Sequence, residues 1–289
     1  MNWNNITYKF KSSGIVIQLI VINVIVFFCT YLGSFLFGMQ QYDLASWFVL
    51  PDGFNEFIFQ PWSFITYAFV HFGAFHLFFN MLWLFWFGPF VLNLFSTKRF
   101  ITIYLLGAIS GGLLYVLAYN LFPVFAGSRG YLLGASAAIR AIVVFIAAYS
   151  PNTRLRLFIW DIKLWHIAAV LVVLDLIQLP TSGNAGGLIA HLGGAMFGYL
   201  YATQLLKGND IGAWFENFLE YFTTKKAKKK KTPFRKVHKN NNVSEVKKKS
   251  ETTLDNQKKV DAILDKIGKS GYESLSKAEK DFLFKSGND

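Results

Sequence analysis

Long runs of apolar residues without charges fill the first two-thirds of the chain, and their lengths predict membrane helices. Gly14–Phe37 runs 24 residues without a charge. That is too long for a signal-peptide core and enough for a bilayer core, which takes about 20 apolar residues per helix. Phe57–Thr97 is charge-free for 41 residues, about twice a span at ~1.5 Å rise per residue. A bend is therefore expected at His71-Phe72-Gly73-Ala74-Phe75-His76, with a helix from about His76 to Leu94. Further spans are expected at Phe100–Asn120, Gly134–Tyr149 (interrupted by Arg140), Leu164–Leu179 (containing Asp175 and followed by Pro180) and Gly186–Leu206. The expected fold is all-α: a six-helix polytopic membrane bundle over 14–206, preceded by a short segment, 1–13.

Beyond Leu206 the pattern changes. Lys225 to Lys231 holds six lysines in seven residues, and Lys247-Lys248-Lys249 follows an Asn-rich stretch. This reads as a basic linker over 207–253. Apolar residues then return at helical spacing (Val260, Ile263, Leu264, Ile267), Gly271 reads as a helix stop, and Ser276-Lys277-Ala278-Glu279 has the form of a capping box. A small helical tail is expected over 254–289, too short to build much of a core.

Composition narrows the class further. Hydrophobic residues make up 53% and charged residues 16%, against roughly 25% charged in an ordinary soluble domain. A disordered chain, a disulfide scaffold and an ordinary cytosolic enzyme are excluded. Residues 207–289 carry 20 Lys/Arg and 12 Asp/Glu, whereas residues 1–206 carry 9 and 5. With six spans, Lys9 and Lys11, Lys98 and Arg99, Arg154, Arg156 and Lys163, and the Lys-rich tail all fall on one side. By the positive-inside rule both termini are then cytoplasmic. The lysines would attract anionic headgroups at ~1 kcal/mol each near the surface. No nucleic-acid recognition fold is visible, so no nucleic-acid partner is expected. With Cys29 as the only cysteine, no intramolecular disulfide or cysteine metal cluster can form, and no metal or other cofactor is expected.

Polar groups within spans are costly and are functional candidates by default. His76, Asn80, Ser136, Arg140, Asp175 and His191 stand out. Depth arithmetic places His76, Asn80, Ser136 and His191 at one level near the outer face, on three helices. A serine hydroxyl needs an adjacent base to become a nucleophile, and Ser136 with His191 supplies that pair. Backbone N–H groups of Ala135 and Ser136 at the helix start, with the His76 and Asn80 side chains, could meet the oxyanion of acyl transfer. No carboxylate is placed to orient His191, so a dyad is expected. Gly194 and Gly198 on the last span, and Ala137 and Ala141 on the fourth, have the small-residue spacing for close helix packing. Arg140 and Asp175 lie at similar depths and are expected to meet as modulators at the rim of the cavity, the competing arrangement being Arg140 stacked on His191.

The residues His71-Phe-Gly-Ala-Phe-His76-Leu-Phe-Phe-Asn80, Gly134-Ala135-Ser136-Ala137 and Ala190-His191-Leu-Gly-Gly194-Ala-Met-Phe-Gly198, with Trp62 before them, resemble the rhomboid family of intramembrane serine proteases, bacterial type. The resemblance covers about residues 14–206. It implies Ser136 as nucleophile, His191 as general base, His76 and Asn80 as oxyanion-hole side chains, and transmembrane protein substrates that pass span 5. It also implies a bacterial inner membrane. Two positions depart from the family pattern: Ala137 stands where Gly is usual and Arg140 where Tyr is common. These departures keep a second class open, a catalytically inactive rhomboid-like protein that binds membrane clients. A transporter using Arg140 and Asp175 as a relay is a third class, but the paired broken spans it would need are missing from the sequence.

Overall fold

The computed structural model describes residues 3–157, 160–224 and 243–286. The chain divides into two units, Met1–Ala227 and Lys228–Asp289. The first unit begins with α1 (Trp3–Ser12) and α2 (Ile15–Phe37), followed by α3 (Gln41–Ala45), β1 (Leu50–Pro51), α4 (Phe54–Phe59) and α5 (Ser63–Thr66). Then come α6 (Ala74–Leu92), α7 (Thr97–Leu121), β2 (Tyr131–Leu132), α8 (Ser136–Tyr149), β3 (Arg154–Leu157), β4 (Trp160–Lys163), α9 (Leu164–Gln178), α10 (Ala185–Leu206) and α11 (Ala213–Thr224). The chain is mostly helical. The all-α expectation is amended by two short antiparallel pairs, β1 with β2 and β3 with β4.

Among the described residues, α2, α6 and α7 are long and apolar enough to cross a membrane. The helices α8 and α9 are apolar but only 14 and 15 residues long, short of the ~20 that a full span takes. The observed ends lie close to those expected because local chemistry sets them. Gly38 adopts φ 62 after α2, and Met39 N–H donates to Ser34 O at 2.9 Å, a left-handed helix cap. Ser96 Oγ accepts from Arg99 N–H at the start of α7, and Asn184 Oδ1 accepts from Gly187 N–H at the start of α10. The long charge-free stretch is broken earlier than expected: residues 54–69 form short helical turns, and the continuous helix starts at Ala74.

The core sits where α7, α8 and α10 meet. Gly107 and Gly111 on α7 face the Ala141 and Ala137 methyl groups, while Gly194 and Gly198 on α10 face the Ala137 and Ala141 carbonyls. Helix α8 is thus clamped between two glycine rows four residues apart, a packing that small residues alone permit. Ser110 Oγ on α7 donates to Gly193 O on α10 at 2.9 Å beside this contact. On α2, the buried stripe Val16, Leu19, Asn23, Phe27, Thr30 and Ser34 faces inward. Its polar members bond back to their own helix, for instance Asn23 Nδ2 to Leu19 O at 2.8 Å.

The basic linker expected from Lys207 is corrected at its start. Helix α11 occupies Ala213–Thr224 and is held by charge: Arg99 pairs with Asp210 and, through Nε at 2.8 Å, with Glu216, while Lys98 pairs with Glu220 at 3.0 Å. Counting lysines obscured this, because the acidic residues that bind α7 precede the lysine run. The run Lys225–Lys231 lies outside the described residues. The second unit contains α12 (Val243–Ser270), which starts earlier than the expected Leu254, and α13 (Lys277–Ser286). Gly271 ends α12 with φ 75. Glu279 Oε2 accepts from Ser276 N–H at 2.7 Å, and Lys266 Nζ lies 3.0 Å from Oε1. The capping box is formed and is braced from α12.

Two outcomes follow from this packing. A Cβ at Gly194 would collide with the backbone of Ala137, whereas one at Gly183 meets nothing within 4 Å. Gly194→Ala is expected to destabilise the bundle by about 1–3 kcal/mol, as overpacking does, and Gly183→Ala to leave unfolding in mild detergent unchanged. In the tail, the Ser276 backbone N–H and then the Lys266 and Ser276 side chains hold the Glu279 carboxyl at about 2, below its ordinary 4.5. A depressed carboxyl stabilises the cap fully above 4.5 and loses that contribution as pH falls toward 2. Carboxyl NMR titration of the full chain should show this low midpoint, and Lys266→Met should raise it.

Candidate active site

The segment leading into Ser136 is fixed from three directions. β1 and β2 pair Leu50 with Leu132 and Pro51 with Tyr131. Gly130 N–H donates to Asp52 Oδ2 at 2.8 Å, and Gly134 N–H to Tyr67 O at 2.9 Å. Gly134 has φ 107, and a Cβ there would lie 2.7 Å from His76 Cε1. Only glycine meets both demands, a left-handed backbone and room for the imidazole. Ser136 is the first residue of α8, so its N–H has no intrahelical acceptor.

His76 and Asn80 lie four apart at the start of α6, and His191 lies in the second turn of α10. With Ser136 and Arg140 they line one cavity of about 480 Å³. All four residues expected at one depth therefore border one space. Ser136 and His191 share the cavity without a hydrogen bond between them. In unliganded sites such bonds often tighten only when substrate binds.

The donors expected for an oxyanion are engaged internally. Ala135 N–H donates to His71 Nε2 at 3.3 Å. Asn80 Nδ2 contacts the same nitrogen at 3.3 Å and donates to His76 O at 3.0 Å. Since both partners are N–H donors, His71 Nε2 is the acceptor. From the sequence, His71 is expected only as a residue of the bend before α6. Its side chain is fully buried and links the serine loop to α6.

The expectation that no carboxylate orients His191 is corrected. Asp175 Oδ1 lies 3.1 Å from His191 Nδ1. Arg140 grips the same carboxylate with two bonds, Nε to Oδ2 at 2.8 Å and Nη2 to Oδ1 at 3.0 Å. Arg140 thus reaches Asp175, as the depths suggested, and does not stack on His191. The Ala137 methyl points into the space left by Gly111 on α7, so it takes no room from the cavity.

The Asp175 side chain is 4% exposed and that of Arg140 14%, so removing one partner strands the other in a dry place. A double-mutant cycle on Arg140→Ala and Asp175→Ala, read by unfolding in detergent, should give a coupling of about 0.5–3 kcal/mol. Additive effects would mean that the pair contributes nothing jointly.

Comparison with known proteins gives the family of the chain. The rhomboid domain model matches residues 59–208, just over half of the chain, and a family of unknown function (DUF6576) matches residues 247–285. The chain is 28% identical over 207 residues to the presenilin-associated rhomboid-like protein, mitochondrial, of Homo sapiens, covering 70% of this chain and 50% of that protein. It is 26% identical over 222 residues to rhomboid protein 1, mitochondrial, of Saccharomyces cerevisiae, covering 72% and 60%. The Rattus norvegicus presenilin-associated rhomboid-like protein, mitochondrial, is 32% identical over 142 residues, 47% of this chain and 36% of that protein. The matches thus span between about a third and three-fifths of these relatives' lengths. Each relative carries a mitochondrial name, which overturns the bacterial inner membrane expected from the resemblance. Motifs and loop charges report the chemistry of a bilayer, not which compartment it bounds. What the matched stretch and the helix order establish is the family: the chain belongs to the rhomboid family.

Proposed function

We propose that this chain is an intramembrane serine endopeptidase that cuts transmembrane segments of membrane proteins, with α2, α6, α7, α8, α9 and α10 as its six spans. The reading is carried by one observation: Ser136, His191, His76 and Asn80 border a single cavity at the end of a bundle whose outward faces are apolar, with Phe75, Phe78, Val173 and Ile177 exposed. Such a space can hold water and a peptide carbonyl inside an apolar surround.

In this mechanism Ser136 Oγ attacks the scissile carbonyl carbon while its proton passes to His191 Nε2. The tetrahedral oxyanion is met by the Ser136 N–H and by the His76 and Asn80 side chains. His191 then returns the proton to the leaving amine nitrogen, and the C–N bond breaks. Water, activated by the same imidazole, releases the acyl group from Ser136. The lysine run after α11 would hold the following segment near anionic headgroups.

Purified Ser136→Ala and His191→Ala should fold and lose both cleavage of a reconstituted single-span substrate and labelling by a fluorophosphonate probe. His76→Ala and Asn80→Ala should retain activity lowered about 10²–10³-fold in kcat. Wild-type cleavage by the Ser136→Ala protein would remove the serine mechanism. A wild type that binds spans without cutting them would favour the client-binding reading.

A further inference from the structure

The carboxylate beside the base has a role that the pair of Ser136 and His191 alone does not include. Asp175 comes from α9, where only Leu164, Ala168 and Asp175 are buried. All three lie on one face, so the inward stripe of this helix ends in a carboxylate instead of an apolar side chain. That carboxylate has two neighbours on two other helices: Arg140 on α8 and His191 on α10.

The chemistry of the contact sets the tautomer of the base. An ionised carboxylate only accepts hydrogen bonds. Two-point binding by a guanidinium, which is always charged, matches an ionised carboxylate. The atom of His191 facing Oδ1 at 3.1 Å is therefore an N–H donor. With its proton on Nδ1, neutral His191 carries its lone pair on Nε2, the nitrogen that must take the Ser136 proton. Arg140 already neutralises the carboxylate, so Asp175 contributes less as a counter-charge to the imidazolium than as a fixed acceptor.

We infer that Asp175, clamped by Arg140, is a positioning residue for catalysis: it holds His191 in the Nδ1–H tautomer and in the ring orientation that aims Nε2 into the cavity. The inference rests on the serine endopeptidase reading for its effect on rate, while the tautomer itself is independent of that reading. It makes the site a Ser–His–Asp triad whose third member is carried by a separate helix.

Asp175→Asn is the informative variant, because the side chain keeps its shape. The new carboxamide oxygen would stay with Arg140 Nε, and its NH2, in the place of Oδ1, would face His191 Nδ1 and give up the bond from Arg140 Nη2. The imidazole would then have to accept at Nδ1 and carry its proton on Nε2, the wrong nitrogen for a base. Fluorophosphonate labelling of Ser136 should slow by about 10²–10⁴-fold, in the maximal rate and not in half-saturation. In ¹⁵N-histidine-labelled protein, the His191 signal, assigned with His191→Ala, should change from the Nδ1–H to the Nε2–H pattern. Asp175→Glu, which keeps a carboxylate, should recover labelling and the Nδ1–H pattern at least in part.

A wild-type labelling rate in Asp175→Asn, or an Nε2–H pattern in the wild type, overturns the inference. A wild type unreactive at Ser136 would sink the peptidase reading alone. In that case an Nδ1–H pattern lost in Asp175→Asn still supports Asp175 as the residue that sets the tautomer, and an unchanged pattern overturns it.

Discussion

The backbone of α8 lies against those of α7 and α10 with no room for an added methyl group at Gly107, Gly111, Gly194 or Gly198, and the site depends on that closeness. Ser136 opens α8, and His191 sits one turn before Gly194 on α10. If the helices stood apart by the width of an ordinary side chain, the serine and the imidazole would face separate spaces. Between membrane helices, apolar burial supplies little attraction, because lipid is as apolar as leucine. Close backbone packing and hydrogen bonds between helices must supply it instead. The Ser110–Gly193 bond joins α7 to α10, and the alanine-on-glycine contacts hold α8 to both. The Arg140–Asp175–His191 cluster adds a tie from α8 to α9 and α10.

That cluster also answers the cost of its own charges. A charge at helix-centre depth costs ~2.5–3.5 kcal/mol even on insertion scales. Arg140 and Asp175 meet this with two short bonds and nearly complete mutual burial. Deep burial of a pair gives little net stability against an apolar alternative, so its contribution lies more in what it holds in place. Three helices are tied at one point, and the atom shared among them, Asp175 Oδ1, is the one that touches His191.

Much of this was legible in the sequence. Charge-free runs gave the helix ends to within a few residues because caps and turns such as Gly38, Ser96 and Asn184 are local. Depth along each helix follows from rise per residue, which is why His76, Asn80, Ser136 and His191 could be grouped before any fold was known. Rotation about each helix axis does not follow in the same way. The second bond of Asp175, to His191, could not be foreseen for that reason. The Gly107–Gly111 row on α7 was passed over because glycines in an apolar run look alike until a neighbour is known. Helix α11 was hidden by composition, its acidic residues being counted into a basic stretch.

The engaged donors around His71 bear on the proposed mechanism. Asn80 gives both amide hydrogens to internal acceptors, His76 O and His71 Nε2, and Ala135 N–H goes to the same His71 nitrogen. A site that must bind an oxyanion for a moment, and not bind water or lipid headgroups for long, gains from this arrangement. The long 3.3 Å contacts share one neutral lone pair, so each is weak, while a bond to a full oxyanion is shorter and about twice as strong as a neutral one. Were negative charge to develop beside Ser136, exchange of these donors from His71 to the oxyanion would be downhill. In the proposed mechanism the buried imidazole of His71 would hold these donors beside Ser136 while no charge is present and release them to the oxyanion when it forms.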